Sequence, residues 1–301
     1  MSAYDTITDQ IIADIESGKA SGNEWRMPWH SVNGGMPVNL SSGKPYRGVN
    51  VLALWASAAR GGFNASTWAT YKQWQAVGAN VRKGSKGTKI VFFKPIVVDT
   101  DRVNDSGERE NESRMIAKAY TVFNADQVDG WAEPTNDQPL ADIDTIATVD
   151  ALIGATGADI SHGGSVACYS RQLDVIRMPD RESFIDTENS TATENYYSTL
   201  LHELTHWTGA DHRLNRKFGK RFGDSAYAFE ELVAELGAAF HCASLGITST
   251  PRADHAQYVD NWLQALKGDK RAIFHAASKA AQSVDYVHGL ADNSADEQLI
   301  A

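Results

Sequence analysis

The segment Asn195-Tyr-Tyr-Ser-Thr-Leu-Leu-His-Glu-Leu-Thr-His-Trp-Thr-Gly209 sets the expected architecture of the C-terminal half of the chain. It holds His202 and His206 in the pattern H-E-x-x-H, inside a stretch with the composition of a helix. Because four residues separate them, both imidazoles lie on one helix face, one turn apart, where they can bind a divalent metal. Glu203 follows the first histidine, so its carboxylate can accept a proton from a metal-bound water during attack on a carbonyl. The pattern therefore predicts a zinc peptidase site with Glu203 as its catalytic base.

The residues that flank the motif favour a real helix over a chance match. Ser190 or Thr191 can cap its start, and Gly209 is expected to end it in the left-handed conformation. One side of this helix is apolar and can pack against a core, and it consists of Leu200, Leu201, Leu204 and Trp207. The motif is thus expected on a buried helix.

A third protein ligand is needed if one coordination position is to stay open for water, and His212 offers the first route to it. The motif extended to His212 matches the metzincin spacing H-E-x-x-H-x-x-G-x-x-H. A metzincin also places a methionine turn below the metal. In this chain every methionine precedes the motif, at Met1, Met27, Met36, Met115 and Met178. His212 is therefore a candidate ligand without its usual companion.

A second route is the helix predicted over residues 226–240, whose three acids lie in a segment otherwise apolar enough for a core. Acids buried on such a helix need a charge partner, which a metal and its histidines would supply. Glu231 and Glu235 lie one turn apart, so one can bind the metal while the other accepts a hydrogen bond from a ligand histidine. We expect Glu231 as the ligand and Glu235 in the supporting role, with the reverse assignment as the next choice. Glu230 is expected to be a solvated surface acid.

The composition is that of a globular protein in a reducing compartment. A length of 301 residues suffices for two domains with cores of their own. The hydrophobic content of 42% and the charged content of 22% are values typical of globular proteins. The N-terminus lacks a basic region followed by an apolar run, and no uncharged apolar stretch approaches membrane-spanning length. Cys168 and Cys242 are expected to stay reduced thiols. These features predict a cytoplasmic protein without a membrane partner.

Charge is divided unevenly along the chain. The net charge of −10 by itself argues against nucleic acid as a partner. Residues 21–98 nevertheless carry ten cations and the single acid Glu24, a local balance of +9, so the remainder carries −19. Such asymmetry is typical of a basic binding module joined to an acidic domain.

The basic module also concentrates aromatic residues, which can stack on unpaired bases while the cations contact phosphates. This combination predicts binding of single-stranded DNA with little sequence preference, and duplex DNA is a further candidate partner. Large aromatic side chains also dominate the cores of small domains, so the tryptophans taken singly are expected in the core. The residues expected to contact DNA are Trp25, Arg26, Lys44, Tyr46, Arg47, Tyr71, Lys72, Arg82, Lys83, Lys86 and Lys89.

Local patterns predict the elements that carry these residues. Helices are expected over residues 4–17, 49–59 and 67–77, the last capped by Ser66. A glycine turn predicts a hairpin over residues 79–95. Two short strands are expected just before the metal helix, over residues 167–170 and 173–179, where a peptidase could hold an extended peptide by backbone pairing.

Motifs from both halves resemble those of ArdC-type antirestriction proteins of conjugative plasmids, and the likeness covers nearly all of the chain. In the N-terminal half the motifs are Pro45-Tyr-Arg-Gly-Val-Asn50, Trp68-x-Thr70-Tyr71-x-Gln73 and Val81-Arg-Lys-Gly-x-Lys-Gly-Thr88. In the C-terminal half they are His202-Glu-Leu-Thr-His-Trp-Thr-Gly209, Arg213-Leu-Asn-Arg216 and Glu230-Glu-Leu-Val-Ala-Glu-Leu236.

The resemblance implies an N-terminal domain that binds DNA, chiefly single-stranded, and a C-terminal zincin metallopeptidase domain like that of DNA-dependent repair proteases. It also implies a role in protecting incoming plasmid DNA from type I restriction during conjugation. For the metal, the resemblance points to the acidic helix and so ranks His212 last among the candidate third ligands.

We therefore predict an α+β chain with two domains. A small mixed DNA-binding domain is expected over residues 1–125, an acidic linker over 126–144, and a zincin-like metallopeptidase domain with the H-E-x-x-H helix over 145–301. The expected cofactor is one divalent ion, zinc on the geometry of its ligands, with manganese as the alternative. The expected partners are single-stranded DNA and a protein substrate or target, for which the host restriction machinery is a candidate.

Two other functions stay open at this point. In the first, the protein is a DNA-coating shield whose zincin domain is a structural or docking module without turnover. In the second, two histidines and a carboxylate support metal-assisted nuclease action.

Overall fold

The structure, a computed structural model, describes residues 3–20, 35–103, 109–132, 142–187, 190–218, 225–247 and 259–300. Its helices are α1 Ala3–Ala20, α2 Val49–Gly61, α3 Tyr71–Ala76, α4 Asp142–Ala155, α5 Ala192–Thr208, α6 Ser225–Leu245, α7 Val259–Gly268 and α8 Ala272–Ile300. Its strands are β1 Val38–Asn39, β2 Thr67–Thr70, β3 Asn80–Val81, β4 Thr88–Val103, β5 Arg109–Asn124, β6 Val128–Asp129, β7 Asp159–His162, β8 Cys168–Ser170 and β9 Val175–Met178.

A mixed sheet in the order β1-β2-β5-β4 organises the N-terminal half. The antiparallel pair β4–β5 is its longest part, and β2 pairs with β5 only from Asn124 to Val122. Beyond that point β4 and β5 continue as a two-stranded ribbon. The helices predicted over residues 4–17 and 49–59 are confirmed as α1 and α2.

Two local predictions in this half are wrong. The hairpin predicted over residues 79–95 does not form, because β3 pairs with β6 while β4 pairs with β5. The helix predicted from Thr67 begins only at Tyr71, since Thr67, Trp68 and Ala69 are buried as a strand. Thr70, not Ser66, caps the helix and forms a reciprocal capping box with Gln73.

Asn50 of α2 seals the outer edge of β4. Its side-chain amide donates to the Val91 carbonyl oxygen at 2.7 Å, and its side-chain oxygen accepts from the Val91 N–H at 2.8 Å. Both backbone groups of Val91 that face away from β5 are thereby hydrogen-bonded, so they are not available to pair with a strand of another molecule. This contact gives a physical role to the asparagine that ends the Pro45–Asn50 motif.

The largest hydrophobic core joins the two halves of the chain. Its members come from α1 and α2 on one side and from α6, α7 and α8 on the other, and they include Ile7, Ile11, Ile15, Val51, Trp55, Leu232, Leu236, Phe240, Trp262, Leu266 and Ile273. The N-terminal half also has smaller cores around Trp74 and Trp68, which confirms that these two tryptophans are core residues. The halves are therefore packed together by one continuous apolar core.

The first residues of the predicted acidic linker belong to the N-terminal half. Residues 125–127 form a 3-10 helix and Val128–Asp129 form β6, which pairs with β3. Residues 133–141, the middle of the predicted linker, lie outside the described part of the chain.

In the C-terminal half, α5 packs against a small sheet in the order β7-β9-β8. The strands predicted before the metal helix are confirmed as β8 and β9. The core between sheet and helices contains Ile176, Met178, Tyr197, Leu201, Leu204 and Val287. Within the described ranges, none of the helices has the length and apolar composition needed to span a bilayer.

His241 of α6 is buried without hydrogen bonds to either ring nitrogen in the described structure. Its imidazole stacks on that of His288 in α8, with ring centroids 6.0 Å apart. Burial, with a smaller contribution from His288, lowers the pKa of His241 to about 3. The folded protein therefore holds this side chain neutral.

We expect His241 to make the protein sensitive to acid. As the pH falls from about 6.5, the ordinary pKa of histidine, the unfolded chain takes up a proton that the folded chain excludes, until the pH reaches about 3. The stability lost by pH 4 is on the order of 3 kcal/mol. His241→Leu should therefore reduce the fall in melting temperature between pH 7 and pH 4, measured by calorimetry, whereas His275→Leu at an exposed position of α8 should not. An unchanged fall in His241→Leu would contradict this account.

Candidate metal centre

The helix that carries the motif is fixed at both ends by its own sequence. Thr191 caps its start and forms a reciprocal capping box with Glu194. Gly209 follows its last turn with φ −79° and ψ −6°, so the predicted left-handed ending is wrong. A Cβ at this position would lie 2.7 Å from Nη2 of Arg216 and 2.8 Å from the ring of Phe218. A side chain at this position would have to displace these two groups, which fold back over the end of α5.

The structure brings His202, His206 and Glu231 together between α5 and α6. One donor atom from each residue lies within 4.8 Å of the others. Nε2 of His202 is 3.6 Å from Oε2 of Glu231, and Nε2 of His206 is 3.6 Å from Oε1 of the same carboxylate. Ligand atoms about 2 Å from a tetrahedral ion lie roughly 3.3 Å from one another. The three side chains are thus close to the spacing that a divalent metal would require.

Each histidine also turns its other ring nitrogen toward a further acid of α6. Nδ1 of His206 is 3.2 Å from Oε1 of Glu230, and Nδ1 of His202 is 3.7 Å from Oε2 of Glu235. The contact at His206 is a hydrogen bond, and a carboxylate bonded to Nδ1 in this way fixes the tautomer that leaves Nε2 able to bind a metal. At 3.7 Å the contact at His202 is longer than a hydrogen bond. The donor set of two imidazole nitrogens and one carboxylate oxygen is that of open, catalytic zinc sites, so the residues fit the ion.

The expectation that Glu230 is a solvated surface acid is wrong. Its side chain is 4% exposed and accepts three hydrogen bonds from the guanidinium of Arg216, at 2.8 to 3.2 Å. Arg216 is itself buried and also donates to the hydroxyls of Thr208 and Ser283. This ion pair supplies the charge partner that a buried carboxylate needs. The Arg216–Glu230 pair therefore supports His206 from the side opposite to Glu231.

Sequence reasoning missed the role of Arg216, although it closes the Arg213–Arg216 motif. The available signal was indirect: three acids on one apolar helix need cations, and Arg216 is one of two arginines in that motif.

Close approach of α5 and α6 makes these contacts possible. A Cβ at Gly237 would lie 2.4 to 3.0 Å from the side-chain atoms of Thr205 on α5. A larger residue would therefore push the helices apart. Gly237 lies between the acids of α6 and its C-terminal end, so it sets the distance across which Glu231 and Glu235 reach the histidines.

His212 lies away from this cluster. Its side chain is 65% exposed, and Nε2 faces Oδ2 of Asp174 at 3.4 Å. The turn after α5 is tied down by Arg213, which donates to the Trp207 carbonyl oxygen and pairs with Asp174. That turn directs His212 outward, so the structure does not bring the third-ranked ligand candidate to the histidines.

The predicted catalytic base, Glu203, is buried on α5 directly after His202.

Without a metal, the acids control the protonation of the site. Burial alone would lower the pKa of His206, but hydrogen bonds and charge from Glu230 and Glu231 raise it to about 10. Burial opposes ionisation of Glu231, but hydrogen bonds from His202 and His206 hold its pKa well below the usual range. At neutral pH the metal-free site therefore holds a proton on His206 next to ionised carboxylates.

The residues predicted to contact DNA are scattered, and some have partners within the protein. Trp25 and Arg26 lie outside the described residues. Arg47 pairs with Asp285 of α8, and Arg82 pairs with Asp129 at 3.2 Å. These acids lie outside the basic segment, so part of its positive charge is compensated from elsewhere in the fold.

The remaining predicted contacts lie on the surface or near it. Nζ of Lys89 donates to Oγ1 of Thr121 at 2.7 Å, and the partly buried Tyr46 accepts a hydrogen bond from Asn39 at 2.9 Å. The exposed residues of this remaining set are Lys44 in the turn before α2, Tyr71 and Lys72 at the start of α3, Lys83 and Lys86 in the β3–β4 loop, and Lys89 in β4.

Comparison with known proteins assigns both halves to families. A model described as "Zincin-like metallopeptidase" matches residues 147–279, and one described as "N-terminal domain of anti-restriction factor ArdC" matches residues 1–123. The uncharacterized protein y4eC of Sinorhizobium fredii is 44% identical over 95% of this chain and 91% of its own length. A DNA primase TraC of Escherichia coli is 34% identical over 94% of this chain, which corresponds to only 20% of that protein.

Solved structures agree with this assignment. The crystal structure of the antirestriction ArdC protein from the R388 plasmid, in its metal-free form, matches with a TM-score of 0.77 at 41% identity and covers 97% of this chain and 99% of that one. The Mn(II)-bound form of the same protein matches with a TM-score of 0.76 at 40% identity. The predicted α+β class and zincin-like C-terminal domain are thereby confirmed.

Metal binding to this site should release a proton. Because the pKa of His206 is raised to about 10 in the metal-free protein, a metal that binds Nε2 at pH 7 displaces about one proton. Titration calorimetry of Mn²⁺ or Zn²⁺ in buffers of different ionisation enthalpy measures this number directly. Metal affinity should accordingly rise with pH up to about 10. Binding without proton release would show that His206 is neutral beforehand.

Removing the carboxylate behind His206 should weaken metal binding. Glu230→Gln should lower the affinity about 10- to 100-fold, and it should also destabilise the fold because Arg216 loses its buried partner. The double variant Glu230→Leu with Arg216→Met removes both charges, so it should regain stability while metal affinity stays low. Calorimetry gives both quantities, and the exposed Glu182→Gln is the matched control. Metal affinity restored in the double variant would refute a role for Glu230 toward the metal.

Proposed function

The chain belongs to the ArdC family of antirestriction proteins, and on that premise we propose a two-part function. The N-terminal half binds single-stranded DNA, and the C-terminal half carries a metal-dependent peptidase site. Together they protect incoming plasmid DNA from restriction in the cytoplasm of a new host. The observation that carries the peptidase part is the convergence of His202, His206 and Glu231 on one point.

His202, His206 and Glu231 would hold the metal and leave a position open for water. When bound, the ion would polarise a peptide carbonyl and lower the pKa of a water. Glu203 would accept the proton from the attacking water and deliver it to the leaving amine. Glu235 and the Arg216–Glu230 pair would keep both imidazoles in the orientation that presents Nε2.

The metal would be zinc or manganese. Two imidazoles and a carboxylate favour zinc, whereas the two acids that support the histidines make the site more negative and suit a harder ion. The related R388 protein has been crystallised with Mn(II). Either ion fits the proposed chemistry.

A peptide substrate would lie along β8, which is an edge strand of its sheet. This strand contacts α5 directly, so an extended peptide paired with β8 would run beside the metal helix. The target would be a protein, with the host restriction machinery as the candidate.

The DNA-binding part of the proposal is supported by the exposed Lys83 and Lys86 in the β3–β4 loop.

Glu203→Gln should abolish peptide cleavage and leave metal affinity unchanged, because the amide cannot accept the proton while the three ligand side chains stay in place. Cleavage of a casein-type substrate is measured with and without single-stranded DNA, and metal content is determined in parallel. The exposed Glu182→Gln serves as the control for loss of one acid. Cleavage that persists in Glu203→Gln would refute the peptidase assignment.

The same variants distinguish a peptidase from a DNA-coating shield. If Glu203→Gln keeps full antirestriction while Lys83→Ala with Lys86→Ala loses it, then protection comes from DNA binding alone. If both variants lose protection, then both halves are needed. Fragments of labelled single-stranded DNA formed in the presence of metal would instead point to a nuclease.

A further inference from the structure

The β4–β5 ribbon exposes large apolar side chains where it extends beyond β2. Phe92 is 61% exposed, Ile116 is 48% exposed and Tyr120 is 38% exposed. Scattered apolar residues on a surface need no explanation, but a contiguous group that includes aromatic rings is typical of a binding surface.

Strand register places these side chains on one face together with two lysines. Phe92 pairs with Lys118, Lys94 pairs with Ile116, and Tyr120 lies diagonal to Phe92. Alternate residues of a strand point to the same side, so Phe92, Lys94, Ile116, Lys118 and Tyr120 form one surface, which we call the ribbon face. Nζ of Lys118 lies 5.6 Å from the centroid of the Tyr120 ring.

The opposite side of the ribbon packs against the protein at its base. Val91 is buried in the core that α1 and α2 share with the C-terminal helices, and the Phe93 ring, although 38% exposed, lies 6.2 Å from that of Tyr4. Asn50 occupies the edge of β4. The ribbon is thereby fixed at its base, and the ribbon face is presented on a rigid support.

The chemistry of the ribbon face suits single-stranded DNA. Aromatic rings stack on unpaired bases whatever their sequence, and lysines beside them contact the phosphates. None of the five ribbon-face residues is acidic. A four-stranded sheet that stacks two or three bases on its aromatic residues is an established mode of single-strand recognition. Diagonal positions across a strand pair lie about 7–8 Å apart, so the rings of Phe92 and Tyr120 can each take one of two neighbouring bases.

We propose that the ribbon face is a stacking platform for two neighbouring bases of single-stranded DNA, one on Phe92 and one on Tyr120, with Lys94 and Lys118 beside their phosphates. This inference rests on the proposed DNA-binding function of the N-terminal half and names its contact surface. The five residues are distinct from those that the sequence pattern selected. The basic loop with Lys83 and Lys86 then adds phosphate contacts to a surface that binds bases.

The test compares variants that remove rings with variants that remove charge, in the full chain. Affinity for a fluorescent oligo-dT is measured by anisotropy at several salt concentrations. Phe92→Leu with Tyr120→Leu should weaken binding at least about fivefold per ring at every salt concentration without changing the salt dependence. Lys94→Ala with Lys118→Ala should reduce the slope of log K against log salt by about 0.7 per lysine. Phe92→Tyr with Tyr120→Phe keeps both rings and should bind like the unaltered protein.

Leu173→Ala is the control for loss of an exposed apolar side chain, because Leu173 is 60% exposed in the C-terminal half. It should leave DNA affinity unchanged. Melting temperatures establish that each variant is folded.

A strand that contains abasic sites tests stacking without any change to the protein. The unaltered chain should bind an abasic oligonucleotide of equal length at least about fivefold more weakly than oligo-dT. The double leucine variant should show a much smaller difference between the two strands, because its platform is absent. Equal affinity of the unaltered chain for both strands would overturn the platform.

The outcomes separate the platform from the proposed function. If the unaltered chain does not bind oligo-dT, the DNA-binding function itself fails. If it binds but the double leucine variant binds equally well, or loses affinity equally for both strands, only the platform is overturned. Light scattering tests whether a second copy of the chain, rather than DNA, binds the ribbon face. If the unaltered chain is a dimer and the double leucine variant is a monomer, a second copy covers this face and the platform is refuted.

Discussion

The pairing of α5 with α6 is the interaction on which the site depends. It places Glu230, Glu231 and Glu235 beside two imidazoles in a buried environment, where isolated carboxylates would be costly. A different group lies next to each acid. Arg216 pairs with Glu230, Nδ1 of His202 faces Glu235, and Glu231 lies between the Nε2 atoms of His202 and His206. In the metal-free protein a proton on His206 balances part of this negative charge. The site therefore carries negative charge that a divalent ion would neutralise more completely than a proton does.

The supporting shell reaches well beyond the motif that reveals the site. Arg216 ties Glu230 to Thr208 at the end of α5 and to Ser283 on α8, so three helices hold the orientation of one imidazole. Glycines occupy both places of closest approach. At Gly209 a Cβ would meet Arg216, and at Gly237 it would meet Thr205. Such a shell orients the ligand side chains before a metal binds, which raises metal affinity.

Much of the architecture could be predicted from the sequence, and the failures have physical causes. The pairing of His202 with His206 follows from helical spacing, and α1 and α2 follow from apolar periodicity. Spacing alone did not decide between Glu231 and Glu235, because both lie on the same face of α6. The helix predicted from Thr67 failed because burial against the sheet overrode the local pattern and moved the cap to Thr70. Glu230 was misjudged because a single sequence does not reveal that Arg216, fourteen positions earlier, folds back to pair with it. The exposed aromatic face of the β4–β5 ribbon depends on strand register, which a wrong hairpin assignment hides.

The core that α1 and α2 share with α6, α7 and α8 makes the two halves of the chain depend on each other for folding. Cutting the chain between its halves would expose apolar surface on both fragments, so recombination that separated them would yield poorly folded products. The two halves are expected to travel between genomes as a single cassette. The much longer TraC relative fits this expectation, because it contains a counterpart of 94% of the present chain within 20% of its own length.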